Sequence, residues 1–146
     1  VDLFKVIFLI LILASCSAPR PNNLGITEGK LSSCPDKPNC VSSFASKEDE
    51  HYLPAIQVIS NKERAHLKIS GILSKNSSAK IISSTPDYIH AEYTSSVFKF
   101  VDDVEFYFGL DKLVHFRSAS RTGRSDLGVN KKRIEEIRFK FQQNDF

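Results

Sequence analysis

The chain has 146 residues, with 20 Lys and Arg against 17 Asp and Glu, for a formal net charge of +3. That length builds one modest core rather than several domains. So small an excess of positive charge is not the broad basic face that nucleic-acid binding needs.

In chain order, Lys5 precedes an uninterrupted apolar run from Val6 to Leu13, followed by the small residues Ala14 and Ser15 and then Cys16. A basic start, a short apolar stretch and small residues read as a secretory signal. The alternative, an uncleaved anchor, needs about 20 apolar residues to span a bilayer. Leu13-Ala14-Ser15-Cys16 resembles the lipobox of bacterial lipoproteins. That resemblance implies removal of residues 1–15, a lipid on Cys16 and attachment to the membrane of the cell envelope. The non-acidic Ser17 is similar to Gram-negative sorting signals for the periplasmic face of the outer membrane. Residues 16–24 then form a tether, which spans roughly 25 Å if extended, and residues 25–146 form a single globular domain.

With Cys16 assigned to lipid, Cys34 and Cys40 remain, and two cysteines of an exported domain most often pair. Free thiols, a redox pair and a metal site are the alternatives, although the spacing is neither Cys-x-x-Cys nor that of a zinc cluster. Gly25 to Ser43 is rich in turn residues and is expected to be an irregular flap closed by this disulfide. Ser60 with Glu63 fits a capping box, opening a helix that carries Ala65, Ile69, Ile72 and Leu73 on one face. Asn76 to Ser78 is a turn and Lys80 to Ser84 a short strand.

Tyr88 to Thr94 alternates, with Ile89, Ala91 and Tyr93 on one face. Val97 to Phe100 extends that strand or begins another. Asp103 to Phe108 puts Val104, Phe106 and Phe108 on one face, and Leu113 to Ser120 does the same with Val114 and Phe116. Matching apolar to apolar pairs Phe108 with Val114 and Phe106 with Phe116, around a turn at Leu110 to Lys112. The same register sets Glu105 opposite Arg117 and Tyr107 opposite His115, on a polar outer face. A final helix, Lys131 to Gln143, has Asn130 as its N-cap, a staple between Val129 and Ile134, and Ile134, Ile137 and Phe141 as its buried stripe. The expected class is α+β: a three- to four-stranded antiparallel sheet with two helices on one face.

Residues 117–133 hold Arg117, Arg121, Arg124, Lys131, Lys132 and Arg133 against Asp126 alone. Cations disfavour a helix N-terminus by about 0.3–1 kcal/mol each, so the arrangement suits a bound anion. It equally suits a salt-bridge network or a solvated basic patch.

Cys34-Pro35, Pro38-Asn39-Cys40-Val41-Ser42-Ser43, Asp102-Asp103-Val104-Glu105-Phe106 and Arg117-Ser118-Ala119-Ser120-Arg121, followed by Gly123, Ser125-Asp126, Gly128, Asn130 and Arg133, together resemble a bacterial family catalogued as domain of unknown function 1499. The likeness runs from about Gly25 to Phe141 and implies no reaction and no cofactor. It groups Asn39, Ser42 and Ser43; Asp102, Asp103 and Glu105; and the arginine turn with Ser118, Ser120 and Asp126. Two classes of function follow. In the first, a non-enzymatic envelope domain uses its six cations on an anionic lipid headgroup, a cell-wall group or an acidic protein face. In the second, a hydrolase or transferase uses His51, His90 or His115 as base, Asp102, Asp103 or Glu105 as acid, and Ser118 or Ser120 as nucleophile. No nucleophile elbow or metal-binding helix motif supports the second.

Overall fold

The structure is a computed structural model that describes residues 18–109 and 111–143. The signal segment and Cys16 lie outside those residues, as does Leu110 of the expected turn. Among the described residues no helix is long and apolar enough to cross a membrane.

The elements run β1 (Ile26–Thr27), β2 (Lys30–Leu31), β3 (Cys40–Ser42), β4 (Ile56–Gln57), α1 (Lys62–Ser74), β5 (Ala79–Thr85), β6 (Tyr88–Thr94), β7 (Val101–Phe108), β8 (Leu113–Ser120) and α2 (Val129–Gln143). The fold is α+β, as expected. Its main sheet is the antiparallel meander β5-β6-β7-β8, widened by β3 and β4, which both pair with β8. The central hairpin has the register that apolar matching demands: Phe106 faces Phe116, Phe108 faces Val114, Glu105 faces Arg117 and Tyr107 faces His115. A slip by one residue would drive Glu105 and Arg117 into the apolar core.

One face of the sheet carries that core. Ile89, Ala91, Val104, Phe106, Phe108, Val114 and Phe116 pack with Ala65, Ile69 and Leu73 of α1 and Ile134, Ile137 and Phe141 of α2. Ile72 packs at the edge of this cluster.

Four local expectations change. The cap of α1 is Asn61, not Ser60, because the Asn61 side chain accepts the Arg64 N–H at 2.9 Å. Val97 to Phe100 is neither an extension nor a new strand but the turn between β6 and β7. Lys99 there takes a left-handed φ of 56°, and the Ser95 hydroxyl accepts the Phe100 N–H. Helix α2 starts two residues early, at Val129, so Asn130 lies inside it and Val129 is not a staple residue outside it. Asp126 takes over the capping, its carboxylate accepting the N–H groups of Gly128 and Asn130 at 3.0 and 2.7 Å. The left-handed Leu127 and Gly128 turn the chain into the helix.

The fourth change bears on function. The polar face of the β7–β8 hairpin is not solvated: Asp103 and Glu105 are 1% and 0% exposed. The N-terminal flap lies across it. Gly25 N–H donates to Glu105 at 2.8 Å, β2 packs on β7, and the Phe44 ring stacks on His115 at 4.3 Å. The Cys34–Cys40 disulfide closes the flap, and β3, which begins at Cys40, fastens it to β8. The sheet is thus covered on both faces, by helices on one and by the flap on the other.

Candidate functional site

At the Phe106–Phe116 level the helix face of β7 and β8 is apolar, but toward Asp102, Ser118 and Ser120 it turns polar. This happens directly beneath the start of α2, and Asn130 is the hub of the network that results. Its Oδ1 accepts from the Ser118 hydroxyl and from Arg133, both at 2.5 Å. Its Nδ2 donates to the Ser120 hydroxyl at 2.9 Å, to Asp126 at 2.8 Å and to the Asn39 carbonyl at 3.1 Å. Arg133 continues to Asp102 at 2.5 Å, and its guanidinium lies over the Tyr93 ring at 4.5 Å. The Asn39 side-chain amide donates to the Gly123 carbonyl at 2.9 Å, tying the cysteine loop to the arginine turn.

On the flap face a second network forms. Arg121 grips Asp103 with Nε and Nη2 at 2.8 and 2.7 Å and also binds Glu92, which Arg20 holds from the other side. His90 Nε2 lies 2.7 Å from Asp103. Burial pushes the Asp103 carboxyl up, but hydrogen bonds from Arg121 and His90 outweigh that and hold it below the ordinary aspartate value. Glu92 is likewise lowered, its own burial being overcome by Arg121 and Arg20. The Arg121 guanidinium is raised by its bond to Asp103. His90, Glu92 and Asp103 could present one ligand atom each to a metal ion, but the cation that these carboxylates hold is Arg121. Glu105 accepts from Tyr88 at 2.7 Å and Arg117 at 3.3 Å. Burial, with the Glu105 charge beside it, raises the Tyr88 phenol.

The three patches read from the sequence therefore meet, but on opposite sides of the sheet. Asn39, Asp102, Ser118, Ser120, Asp126 and Arg133 gather under α2. Asp103, Glu105, Arg117 and Arg121 gather under the flap. Ser42 is buried and its hydroxyl accepts the Phe44 N–H. The six cations do not form one surface: Arg117, Arg121 and Arg133 are committed to carboxylates, whereas Arg124, Lys131 and Lys132 are exposed. The histidines are also separate. His51 pairs with Asp49 at 2.6 Å, and its pKa is raised: burial opposes the charge, but bonds to the Lys37 carbonyl and Asp49 prevail. His115 pairs with Asp111 at 2.8 Å. None of the three histidines bonds to Ser118 or Ser120 among the described residues.

Two cavities adjoin the networks. One, of about 400 Å³, lies on the flap side, where Asn39, Asp103, Arg117 and Arg121 converge beside Cys34 and Lys37. The larger, of about 670 Å³, is a groove between α2 and the β6–β7 end of the sheet. Tyr93, Asp102 and Arg133 lie at its floor, with Ile72, Phe100 and Ile137 along it and Lys132 and Lys140 beside them. Lys132 and Lys140 have no carboxylate partner among the described residues. Tyr93, Phe100 and Lys140 are groove residues that sequence reasoning missed. Tyr93 reads as plain core, and nothing in a linear pattern places Phe100 against α2.

A family model described as a protein of unknown function, DUF1499, matches residues 30–141. No curated protein and no solved structure matches the chain.

Proposed function

The chain belongs to the DUF1499 family, and we propose that it serves as a lipid-tethered binding domain of the bacterial cell envelope that engages an anionic ligand at the α2 groove. The observation that carries this reading is the division of charge around the groove. The acids Asp102 and Asp126 are already taken by Arg133 and Asn130, while Lys132 and Lys140, without a carboxylate partner among the described residues, flank the single exposed acid Glu136 at the opening and leave its rim net positive. An incoming anion would gain two cations without breaking an ion pair, the Glu136 charge between them offsetting part of that gain. On the flap side it would have to compete with Asp103 and Glu92 for Arg121 and with Glu105 for Arg117, whose buried Nε has no partner among the described residues. The envelope half of the reading rests on the lipobox at Cys16, and the short tether holds the groove near an anionic surface.

Cosedimentation of the purified, unlipidated Cys16→Ser protein with vesicles tests the anion reading. Binding to vesicles containing an anionic phospholipid should exceed binding to neutral ones, fall as salt rises, and fall again in Lys132→Glu/Lys140→Glu. Equal binding to both vesicle types would remove the reading. The tether is checked separately in cells, where labelling by a radioactive fatty acid should be lost in Cys16→Ser.

A hydrolytic reading has one geometric support. The Ser43 hydroxyl lies 3.2 Å from His115 Nδ1, and His115 Nε2 lies 2.8 Å from Asp111, a nucleophile–base–acid sequence of contacts. It ranks second because the Ser43 oxygen also accepts the Phe116 N–H at 3.0 Å, and Phe44 stacks over the imidazole. Both leave the serine serving the β3–β8 junction. Covalent labelling of Ser43 by a fluorophosphonate probe would restore this reading.

A further inference from the structure

The groove is mostly hydrocarbon. Ile72, Tyr93, Phe100, Val129 and Ile137 line it, and its cations, Lys132 and Lys140, belong to α2 alone. A site built for a small hydrated anion such as phosphate would surround it with N–H donors and leave no apolar volume to fill. Here about 670 Å³ of largely apolar space lies beside two ammonium groups, Lys132 and Lys140, that outnumber the one exposed carboxylate, Glu136, between them. The β6–β7 turn adds a third observation. Val97 and Phe98 are 76% and 71% exposed, and the Phe98 ring stacks on Phe100 at 5.5 Å. Phe100 lines the groove, so the exposed aromatic pair continues the groove's apolar surface outward. Phenylalanines held in water without a partner mark a contact surface, and Lys99 beside them adds a further cation.

We infer that the ligand of the α2 groove is a single-chain anionic amphiphile: an alkyl chain lying along Ile72, Phe100 and Ile137, with its carboxylate or phosphate head at Lys132 and Lys140. The inference rests on the anion reading above and adds the chain. The Phe98–Phe100 pair covers the part of the chain nearest the opening, where an empty groove would expose hydrocarbon to water. Arg133 does not bind the head. Its guanidinium is bonded to Asp102 and Asn130 and forms a flat lid over Tyr93, which keeps the floor of the groove closed.

The chain contains no tryptophan, so Phe98→Trp at this exposed position provides a single fluorescent reporter. The Cys16→Ser/Phe98→Trp protein would be titrated, below micelle formation, with four probes: lysophosphatidylglycerol, myristate, lysophosphatidylcholine and glycerol phosphate. The inference expects a blue shift and saturable binding with the first two, at least tenfold tighter than with either of the others. It also expects a loss of at least fivefold in Lys132→Gln/Lys140→Gln. The ratio of lysophosphatidylglycerol to myristate affinity separates a phosphate head from a carboxylate. Glycerol phosphate binding as tightly as lysophosphatidylglycerol would overturn the chain and leave the anion reading standing. Lysophosphatidylcholine binding as tightly as lysophosphatidylglycerol would overturn the anion reading and, with it, the inferred head. No binding by any probe, in a protein whose circular dichroism matches the parent, would overturn both.

Discussion

Replacing Asp103 by asparagine removes one charge from the flap-side network with almost no change of shape. In the native domain this carboxylate is 1% exposed and accepts two hydrogen bonds from Arg121 and one from His90. Removing one partner of a buried ion pair costs about 3–5 kcal/mol, because the other charge is left without compensation. Arg121 keeps Glu92, so the lower end applies, about 3 kcal/mol, or about 10 °C in Tm for a domain of this size. The pH dependence supplies a second signature. The Asp103 carboxyl is held below its ordinary value in the folded state, so its contribution is present above the unfolded pKa of about 3.9 and is lost as pH falls through the folded value. Urea denaturation followed by circular dichroism at pH 7 and near pH 3 should therefore show a wide gap between parent and variant at pH 7 that narrows in acid. A variant within about 1 kcal/mol of the parent at pH 7, or a gap that does not change with pH, would refute the reasoning.

Reducing the Cys34–Cys40 disulfide should cost about 2 kcal/mol from loop-closure entropy. The loss should concentrate in the flap, and hydrogen exchange of the Gly25 and Cys40–Ser42 amides should accelerate before that of β6. Uniform acceleration would show that the flap is not a separate unit. Asn130→Ala leaves the Ser118 hydroxyl, the Asn39 carbonyl and Arg133 short of a partner. A loss of about 2–3 kcal/mol in thermal or chemical denaturation is expected, against about 1 kcal/mol if Asn130 were only the surface cap that the sequence suggests.

The strands and their pairing were legible because alternation and register are local properties of β7 and β8. Phe106 and Phe116 can face one core only if Glu105 meets Arg117. The helix stripes at Ala65, Ile69 and Leu73 and at Ile134, Ile137 and Phe141 were legible for the same reason. The flap was not. Its strands are two or three residues long, too short for a period, so nothing in the pattern tells that it covers Asp103 and Glu105. Asn130 was misplaced because a cap and a buried hub use the same side chain, and Asp126, four residues earlier, competes for the capping role. The basic stretch 117–133 was visible as charge, but strand alternation distributes it. Arg117 and Arg121 occur on one face of the sheet while Arg133 approaches the other from α2, so a single patch in the sequence becomes two networks and three exposed cations, Arg124, Lys131 and Lys132. The groove itself joins residues from α1, β6, β7 and α2 and has no linear signature.

The most direct test of the account locates the anion on the domain. In a ¹H–¹⁵N spectrum of the Cys16→Ser protein titrated with lysophosphatidylglycerol below micelle formation, the account predicts shifts concentrated at Thr94, Phe100, Lys132, Arg133 and Lys140, removed by Lys132→Glu/Lys140→Glu. Shifts centred instead on Asn39, Arg117 and Arg121, or no localised shifts at all, would contradict it.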